Sequence, residues 1–267
     1  MKTALVTGAS SGIGEACALR LVASGWRVFG GVRRAGDAPS GTEEMLLDVT
    51  DANQIRAAAD RVEELHGLVN NAGVALAAPL EFVPPEELRQ QLEVNLVGQV
   101  AVTQAFLPAL RRTAGRIVFM GSIAGRSALP FLGPYAASKH ALEAVADSLR
   151  LELRPFGVHV SIVEPGTIKT PIWSRSAERA DRLLDAMDGR LGELYGDRIA
   201  VFRQVALKRG AAGAPADAVA KVVEDALSAE RPQTRYLVGR DAKLRAGFER
   251  LPDRLRDRIY ERVLLKS

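Results

Sequence analysis

The chain has 267 residues, of which 47% are hydrophobic and 25% are charged, and its formal net charge at pH 7 is +4. This length suits one large α/β domain or two small ones, and we expect one, while so mild a positive charge does not by itself predict a nucleic-acid partner. A single cysteine, Cys17, excludes an internal disulfide, and there is neither a cleavable apolar stretch at the N-terminus nor a long apolar run, so we expect a cytoplasmic protein.

The first predicted elements are a strand over residues 3–7, a glycine-rich loop and a helix over residues 15–24. Glycines permit a tight turn and close approach to the backbone, and the N-terminus of the next helix offers unpaired N–H groups to a phosphate. Such a loop can also be a turn without a ligand, but its place between strand and helix favours a dinucleotide site. The loop residues that we expect to bind the cofactor are Gly8, Ser10, Ser11, Gly12, Ile13 and Gly14.

The second predicted strand, over residues 26–32, ends in Arg33 and Arg34 rather than in a carboxylate. A dinucleotide fold usually has an acid here that holds the adenosine ribose hydroxyls, whereas two guanidinium groups suit a 2′-phosphate. Unless it is only a solvated surface pair, the arginine pair predicts a preference for NADP, with NAD as the other possibility.

The third and fourth predicted strands, over residues 45–49 and 68–73, end in polar or small residues at the edge of the sheet where ligands of open α/β folds bind. Two roles are open for Asp48: it bonds the adenine amino group, or it belongs to the N-cap region of a helix over residues 51–66. The turn of Asn71, Ala72 and Gly73 either lets the cofactor ribose lie against the backbone or is a buried structural turn.

A long predicted helix over residues 86–112 carries more apolar positions than one buried face of a monomer needs, which indicates that a partner subunit covers the rest. Asn95 lies inside this helix between two apolar residues. An interior asparagine must be hydrogen-bonded, and its amide can open a helix to hold a water. The fifth predicted strand, over residues 116–120, delivers Ser122 to the ligand-binding edge of the sheet.

Tyr135 and Lys139 are four residues apart in a helix predicted over residues 134–153, so their side chains share a face. A lysine charge favours the phenolate of a neighbouring tyrosine, which makes the tyrosine a tunable proton donor. The spacing alone is common by chance. It indicates an active site only together with Ser122 and the upstream elements. The apolar segment 126–134 either walls a site for a hydrophobic alcohol or ketone or packs in the core without bearing on the substrate.

The remaining chain predicts a sixth strand over residues 158–163, a forced turn at Pro165 and Gly166, a helix over residues 215–229 and a last strand over residues 235–239. We interpret residues 171–213 as a mobile helical lid over the substrate. Residues 1–240 then form a nucleotide-binding catalytic domain, and residues 241–267 form an amphipathic helical extension. Its apolar stripe, with arginines between, packs on the body or a partner, or lies on an anionic membrane surface.

Taken in order, these motifs resemble the short-chain dehydrogenase/reductase family, in its compact single-domain branch with a Tyr-x-x-x-Lys active site. Each motif is weak alone, but together they are specific. They are Thr7-Gly8-x-x-x-Gly12-x-Gly14, Asn70-Asn71-Ala72-Gly73, Asn95, Ser122, Tyr135-x-x-x-Lys139 and Pro165-Gly166 followed by Thr170. Strand patterns alternating with helices agree independently with a Rossmann-type, doubly wound sheet of about seven parallel strands with helices on both faces.

The resemblance implies roles for individual residues. It implies that Ser122, Tyr135 and Lys139 are catalytic and that Asn95 supports a proton-relay water. The further contacts that it implies are Asp48 and Val49 with adenine, Asn71, Ala72 and Gly73 with the ribose, and Ile168 and Thr170, after Pro165 and Gly166, with the nicotinamide carboxamide.

We therefore predict an NADP(H)-dependent oxidoreductase that interconverts a hydrophobic secondary alcohol and its ketone, with a steroid-, retinoid- or lipid-like substrate and Tyr135 as proton donor or acceptor. The alternatives are an NAD-dependent dehydrogenase of a small polar alcohol and a nucleotide-binding regulatory protein without turnover. We expect a homodimer or homotetramer and no metal. Ser122 is not expected to be a hydrolase nucleophile, because its surroundings are not the strict G-x-S-x-G elbow.

Overall fold

Parallel strands form the centre of the protein. The computed structural model describes residues 1–185 and 189–262. Its strands, numbered in chain order, are β1 (Thr3–Thr7), β2 (Arg27–Val32), β3 (Glu43–Leu46), β4 (Gly67–Asn70), β5 (Arg116–Met120), β6 (His159–Pro165), β7 (Ile168–Lys169), β8 (Ala214–Pro215) and β9 (Arg235–Val238). Seven of these form one all-parallel sheet in the order β3-β2-β1-β4-β5-β6-β9, while β7 and β8 pair with each other. The predicted seven-stranded parallel sheet is confirmed.

The strand order places a crevice at one edge of this sheet. The chain runs outward from β1 to β2 and β3, then returns to the other side of β1 with β4 and continues to β5, β6 and β9. The order therefore reverses between β1 and β4. Because the loops that follow these two strands lead in opposite directions, they leave a crevice at the carboxyl ends of the strands, where ligands of such sheets bind.

Helices cover both faces of the sheet. In the described ranges they are α1 (Gly12–Ala23), α2 (Ala52–Asp60), α3 (Pro85–Leu92), α4 (Gly98–Arg112), α5 (Gly133–Glu152), α6 (Ile172–Asp185), α7 (Arg190–Ala211), α8 (Ala216–Ser228), α9 (Arg240–Phe248) and α10 (Asp253–Tyr260). Successive side chains of a strand point to opposite faces. Leu5 of β1 therefore belongs to the same core cluster as Leu142 of α5. Its neighbour Val6 belongs to the opposite cluster, with Cys17 of α1 and Val223 of α8.

Some predicted bounds differ from the structure. The helix predicted over residues 51–66 ends at Asp60, since the backbone N–H groups of Leu65 and His66 already donate to the carbonyl oxygens of Ala109 and Thr3. The third strand, predicted over residues 45–49, is β3. The long helix predicted over residues 86–112 is interrupted between α3 and α4 by a π-helical turn, Glu93–Val97.

The segment predicted as a lid is largely helical where it is described. It comprises α6 and α7, while residues 186–188 lie outside the described ranges. Arg179 of α6 donates from Nε to Glu87 of α3 at 2.8 Å. Tyr195 of α7 donates from its hydroxyl to Glu81 at 2.9 Å. These two contacts hold α6 and α7 against the part of the chain that follows β4.

The described part of the C-terminal extension packs on the body of the protein. Asp241 at the start of α9 accepts a hydrogen bond from the backbone N–H of Thr167 at 2.6 Å. Arg245 donates from Nη2 to the carbonyl oxygen of Ser127 at 2.9 Å, and the Ser127 hydroxyl lies 2.9 Å from the hydroxyl of Tyr260 in α10. Residues 263–267, which include Val263 of the predicted apolar stripe, lie outside the described part. Among the described helices none is long and apolar enough to cross a membrane.

Candidate active site

A cavity of about 1170 Å³ opens at the crevice between β1 and β4. Its size and mixed apolar and polar lining are those of a small-molecule site. The cavity brings together most residues that the sequence singled out. These are Gly8, Ser10, Ser11, Gly12, Ile13, Arg33, Asp48, Val49, Asn71, Ala72, Gly73, Ser122, Tyr135, Lys139, Pro165, Gly166, Ile168 and Thr170. Gly14, Arg34 and Asn95 are outside this lining, and each has a separate explanation below.

The glycine-rich loop has a conformation that only glycine adopts without strain at two positions. Gly8 and Gly12 have φ angles of +63°. A Cβ on Gly14 would lie 2.2 Å from the carbonyl oxygen of Gly8 and 2.4 Å from Nδ2 of Asn71. Gly14 therefore lets the first turn of α1 pack against the loop instead of facing the cavity. The N-cap residue Ser11 makes no side-chain capping bond, so the first N–H groups of α1 fit a phosphate.

The turn after β4 is tied to the same loop. Nδ2 of Asn71 donates to the carbonyl oxygens of Thr7 and Gly8 at 2.9 and 3.2 Å. The Thr7 hydroxyl accepts from the backbone N–H groups of Asn71 and Ala72 at 2.9 and 3.0 Å. The two alternatives for this turn are thus compatible, because it stabilises the loop through Asn71 and also lines the cavity.

At the end of β2, the two arginines differ in their position. Both are exposed, but Arg33 lines the cavity and Arg34 does not. Asp48, at the end of the next strand, accepts from the backbone N–H and the hydroxyl of Thr50 at 2.9 and 2.8 Å. The N-cap of α2 is Asp51, which accepts from the N–H groups of the second and third residues of the helix. Asp48 is therefore not the capping residue, and it remains available at the cavity wall.

Ser122 and Tyr135 both line the cavity, where their hydroxyl groups lie close enough to influence each other. Ser122 begins the 3₁₀ turn that follows β5, and its hydroxyl accepts from the N–H of Ala124 at 3.1 Å. Burial raises the pKa of Tyr135 above its ordinary value, while the nearby Ser122 hydroxyl and the positive charge of Arg245 act in the opposite direction. The sequence predicted that Lys139 would lower this pKa, but in the structure burial outweighs the opposing effects and the assisting cation is Arg245.

Lys139 is buried below the tyrosine. Its ammonium group donates to the carbonyl oxygen of Met120, the last residue of β5, at 2.7 Å and lies 5.8 Å from the centre of the Tyr135 ring. Burial lowers the pKa of Lys139 to about 8, and the charge of Glu143 opposes this shift. A lysine with this pKa exchanges protons near neutral pH, which suits a group that supports proton transfer.

Asn95 lies in the π-helical turn and is fully buried. Its Oδ1 accepts from the N–H of Val74 at 2.8 Å, and its Nδ2 donates to the Val74 carbonyl at 2.9 Å and to the Ser138 hydroxyl at 3.0 Å. Ser138 in turn donates to the carbonyl oxygen of Tyr135 at 2.7 Å. The amide does occupy an opened helix, as the sequence predicted, and its hydrogen bonds join that turn to the start of α5, which carries Tyr135 and Lys139.

Several arginines that line the cavity were not singled out from the sequence, namely Arg89, Arg175, Arg179, Arg182, Arg203 and Arg245. Arg175 of α6 donates to the hydroxyl of Ser11 in the glycine-rich loop at 3.3 Å, and Arg179 of the same helix is paired with Glu87. Arg245 reaches the cavity from the C-terminal extension. The basic residues of these segments were visible as surface charge, but no local pattern indicates that they reach the site.

Comparisons with known proteins agree with this geometry. Residues 2–181 match the family model described as short chain dehydrogenase. The chain is 37% identical to an NADPH-dependent 3-dehydrocapnine reductase from Ornithobacterium rhinotracheale, over 100% of this chain and 98% of that protein. It is also 37% identical to human 17-beta-hydroxysteroid dehydrogenase type 6, over 91% and 82% of the two chains.

Among solved structures, a short chain dehydrogenase from Burkholderia cenocepacia J2315 in complex with NADP superposes with a TM-score of 0.76. It is 28% identical, and the match covers 99% of both chains. A short-chain dehydrogenase from Burkholderia phymatum in complex with NAD has a TM-score of 0.74 at 25% identity, with 88% of each chain covered. The chain therefore belongs to the short-chain dehydrogenase/reductase family and is an NAD(P)-dependent oxidoreductase.

Proposed function

We propose that the protein interconverts a hydrophobic secondary alcohol and its ketone with NADP(H), using Tyr135 as the proton donor or acceptor. The observation that carries the proposal is that the hydroxyl groups of Ser122 and Tyr135 line one cavity together with Lys139 and the glycine-rich loop. Two hydroxyl groups side by side can hold a single substrate oxygen. The loop at the other end of the cavity fits a dinucleotide, since its glycines and the uncapped α1 N-terminus suit a pyrophosphate.

Individual residues of the chain have separate roles in the proposed reaction. A nicotinamide bound beside them supplies or accepts the hydride. In the reductive direction the Ser122 hydroxyl hydrogen-bonds to the carbonyl oxygen, and Tyr135 donates its phenolic proton to that oxygen as negative charge develops there. Lys139 holds ribose hydroxyls, and the positive charge of Arg245 stabilises the resulting tyrosinate. Asn95 positions α5, the helix that carries Tyr135 and Lys139, and supports the water that reprotonates Lys139.

The cofactor preference is proposed from the end of β2, where Arg33 lines the cavity and no carboxylate follows the strand. The relative named as an NADPH-dependent reductase supports this choice. We expect Arg33→Ala to weaken NADPH binding about 10- to 100-fold, because a charge-assisted hydrogen bond to the 2′-phosphate is lost, and to leave NADH binding nearly unchanged. Titration of each variant with both cofactors, followed by nicotinamide fluorescence, measures the two dissociation constants.

Arg34→Ala is the matched control, since Arg34 carries the same charge on the same turn but does not line the cavity. It is expected to have a much smaller effect on NADPH binding. A wild-type preference for NADH, or an Arg33→Ala variant that loses affinity for both cofactors equally, contradicts the proposed role of Arg33.

The substrate class is proposed from the walls of the cavity beyond Tyr135. Apolar side chains from the segment before α5 and from the lid helices share this wall, namely Phe131, Leu132, Ile172, Trp173, Phe202 and Leu207. The rings of Phe131 and Phe202 meet edge to face at 5.3 Å. Relatives named as steroid and retinol dehydrogenases support a lipid-like alcohol or ketone. We propose accordingly that residues 171–213 are the substrate lid of a catalytic unit spanning residues 1–240, to which residues 241–267 are an extension.

A screen of steroid, retinoid and long-chain ketones against short polar ones, followed by NADPH absorbance, tests the substrate class. Turnover of the hydrophobic ketones with higher kcat/KM supports the proposal. Turnover of only small polar alcohols favours the dehydrogenase alternative. No turnover of any compound, with cofactor binding intact, favours a nucleotide-binding regulatory protein.

We also propose that the protein is a homodimer or homotetramer through the helices on one face of the sheet. Val97, in the π-helical turn before α4, and Leu151 of α5 are exposed by 47% and 60%. Light scattering after gel filtration is expected to give a dimer or tetramer mass, and Leu151→Glu to reduce it, because a charge would be buried in the interface. Leu244→Glu on α9 is the control that leaves the mass unchanged. A monomer mass for the wild type at all concentrations contradicts this assembly.

A further inference from the structure

A pair of buried carboxyl groups lies directly behind the catalytic residues. Glu143 belongs to α5, one helical turn after Lys139, and Glu164 belongs to β6, immediately before Pro165. The Glu164 side chain is completely buried and the Glu143 side chain is 13% exposed. Nε of Arg235 lies 3.0 Å from Oε2 of Glu143 and 3.6 Å from Oε1 of Glu164, so the two carboxyl groups are neighbours. The reaction scheme above assigns neither of them a role.

The hydrogen bonds around the pair leave one buried oxygen of each carboxyl group without a donor among the described residues. Oε1 of Glu164 accepts from Nε of Arg126 at 2.9 Å, and Oε2 of Glu143 accepts from Nε of Arg235 at 3.0 Å. The remaining oxygens, Oε1 of Glu143 and Oε2 of Glu164, are buried and receive no donor from other groups of the described chain. Because an ionised carboxylate only accepts hydrogen bonds, two carboxyl groups can bond to each other only through a proton that one of them keeps.

The charged groups around the pair come from every element that packs on it. Arg126 follows the 3₁₀ turn after Ser122, and Arg235 begins β9 and also donates to Asp147 at 2.7 Å. On α5 the pair is flanked by Asp147 on one side and by Lys139 on the other. Two guanidinium groups thus face Asp147 and the carboxyl pair. Asp147 is also paired with Arg150, at 3.2 Å.

The pair also contacts the segments that carry the catalytic groups. A Cβ on Gly125, three residues after Ser122, would lie 3.2 Å from Oε1 of Glu143, so this segment packs directly on the carboxyl group. Glu164 immediately precedes the turn of Pro165 and Gly166, which lines the cavity. The pair is therefore next to three segments that line the cavity, which carry Ser122, Lys139 and Gly166.

We propose that Glu143 and Glu164 share one proton, and that Glu143 is a positioning residue which sets the charge of Lys139. The kinetic part of this inference rests on the proposed function. When the shared proton leaves, a second negative charge appears one helical turn from the ammonium group and keeps Lys139 protonated to higher pH.

The pKa shifts of Glu143 and Lys139 agree with a coupling between the two groups. Burial, and then the charge and hydrogen bond of Glu164, raise the pKa of Glu143 to about 7. Burial lowers the pKa of Lys139 to about 8, and Glu143 is the group that acts against this change. The raised pKa of Glu143 and the lowered pKa of Lys139 therefore bring the two groups into the same pH range, where the charge of one acts on the other.

The kinetic test is the pH profile of kcat for Glu143→Gln. Glutamine keeps the shape and can donate to Glu164, but it cannot become negative. We expect the alkaline limb, which reports proton loss from Lys139, to move about one pH unit lower, as is typical for removing a charge at this distance in a partly screened site. Glu152→Gln, an exposed position at the end of the same helix, is the charge-matched control and should leave the profile unchanged. A Glu143→Gln profile that is lower at all pH values without a shift of the limb overturns the proposal.

Two further measurements do not depend on turnover. An infrared band of a protonated carboxyl group is expected in the wild type at pH 6, where carboxyls with ordinary pKa values are ionised, and it should disappear by pH 9. Its absence at pH 6 overturns the shared proton even if the variant does not fold.

The second of these measurements is the free energy of unfolding. An acid whose pKa is raised in the folded state binds its proton more tightly there, so its stabilising contribution is lost as the pH rises from the unfolded pKa to about 7. The wild type should therefore lose stability relative to Glu143→Gln between pH 5 and pH 8. A stability difference between wild type and variant that does not change with pH contradicts the shared proton, whereas the absence of any substrate turnover would contradict only the proposed function.

Discussion

Tyr135→Phe is expected to lower kcat/KM for every accepted ketone by about 10³-fold, the usual contribution of a positioned general acid. The phenylalanine ring keeps the packing against the cavity wall, and the substitution removes only the hydroxyl group that shares the cavity with that of Ser122. The developing alkoxide then has no proton donor within the site. Initial rates measured by NADPH absorbance over a range of substrate concentrations provide the comparison.

Two controls separate this loss from a general disturbance. The dissociation constant for NADPH should stay within a small factor of the wild-type value, because the ribose and phosphate contacts proposed above do not depend on the phenol. Tyr236 lies on β9, away from the cavity, and its hydroxyl accepts from the N–H of Gln233. Tyr236→Phe removes this hydroxyl and should leave kcat/KM unchanged. If Tyr135→Phe retains wild-type turnover, another group is the proton donor.

Gly14→Ala is expected to abolish NADPH binding and to destabilise the protein by about 3 kcal/mol, the upper end for overpacking. The added Cβ would lie 2.2 Å from the carbonyl oxygen of Gly8, a backbone atom that no rotamer change can move away. Either α1 or the glycine-rich loop has to shift, and both form the proposed pyrophosphate site. Thermal unfolding should show a fall in Tm of about 9 °C, and fluorescence titration should show the loss of cofactor binding.

Gly192→Ala is the matched control for this substitution. Gly192 lies in α7, and among the described residues no heavy atom outside the neighbouring backbone of that helix would come within 4 Å of an added Cβ. Alanine is favoured over glycine inside a helix by about 1 kcal/mol, so Tm should stay the same or rise slightly. A Gly14→Ala protein with wild-type Tm and cofactor affinity would show that the loop tolerates the side chain and that its contact with α1 is not required.

The sequence predicted the fold correctly, and most of the residues that it singled out line the cavity, because these features depend on short-range patterns. Alternation and apolar runs indicate the strands, and the glycines and the prolines mark the turns between them. Parallel strands joined by helices place all strand ends at one edge. Residues that follow those ends, such as Ser11, Asp48, Gly73 and Ser122, therefore had to meet at a common site. Their chemical roles remain proposals.

Other expectations depended on contacts that a local pattern does not contain. The helix after β3 ends earlier than its composition indicates, because Leu65 and His66 bond to distant parts of the backbone. Arg33 and Arg34 are equivalent as neighbours in the sequence, but the turn places only Arg33 at the cavity. The pKa of Tyr135 is raised and not lowered, since the burial of its side chain is a property of the packed molecule.

The sequence by itself determined the order of the motifs, the parallel sheet and the pairing of Tyr135 with Lys139 on one helical face, because these follow from spacing along the chain. Only the tertiary structure decided that Arg245, from 118 residues beyond Ser127, reaches the active site and that Glu143 meets Glu164 behind it. The physical reason is that strand order and helix packing bring such groups together, and their burial in a region of low dielectric then sets their protonation. Tyr135 and Lys139 can thus be identified from the sequence, while the charged groups that shift their pKa values are brought to them by the fold.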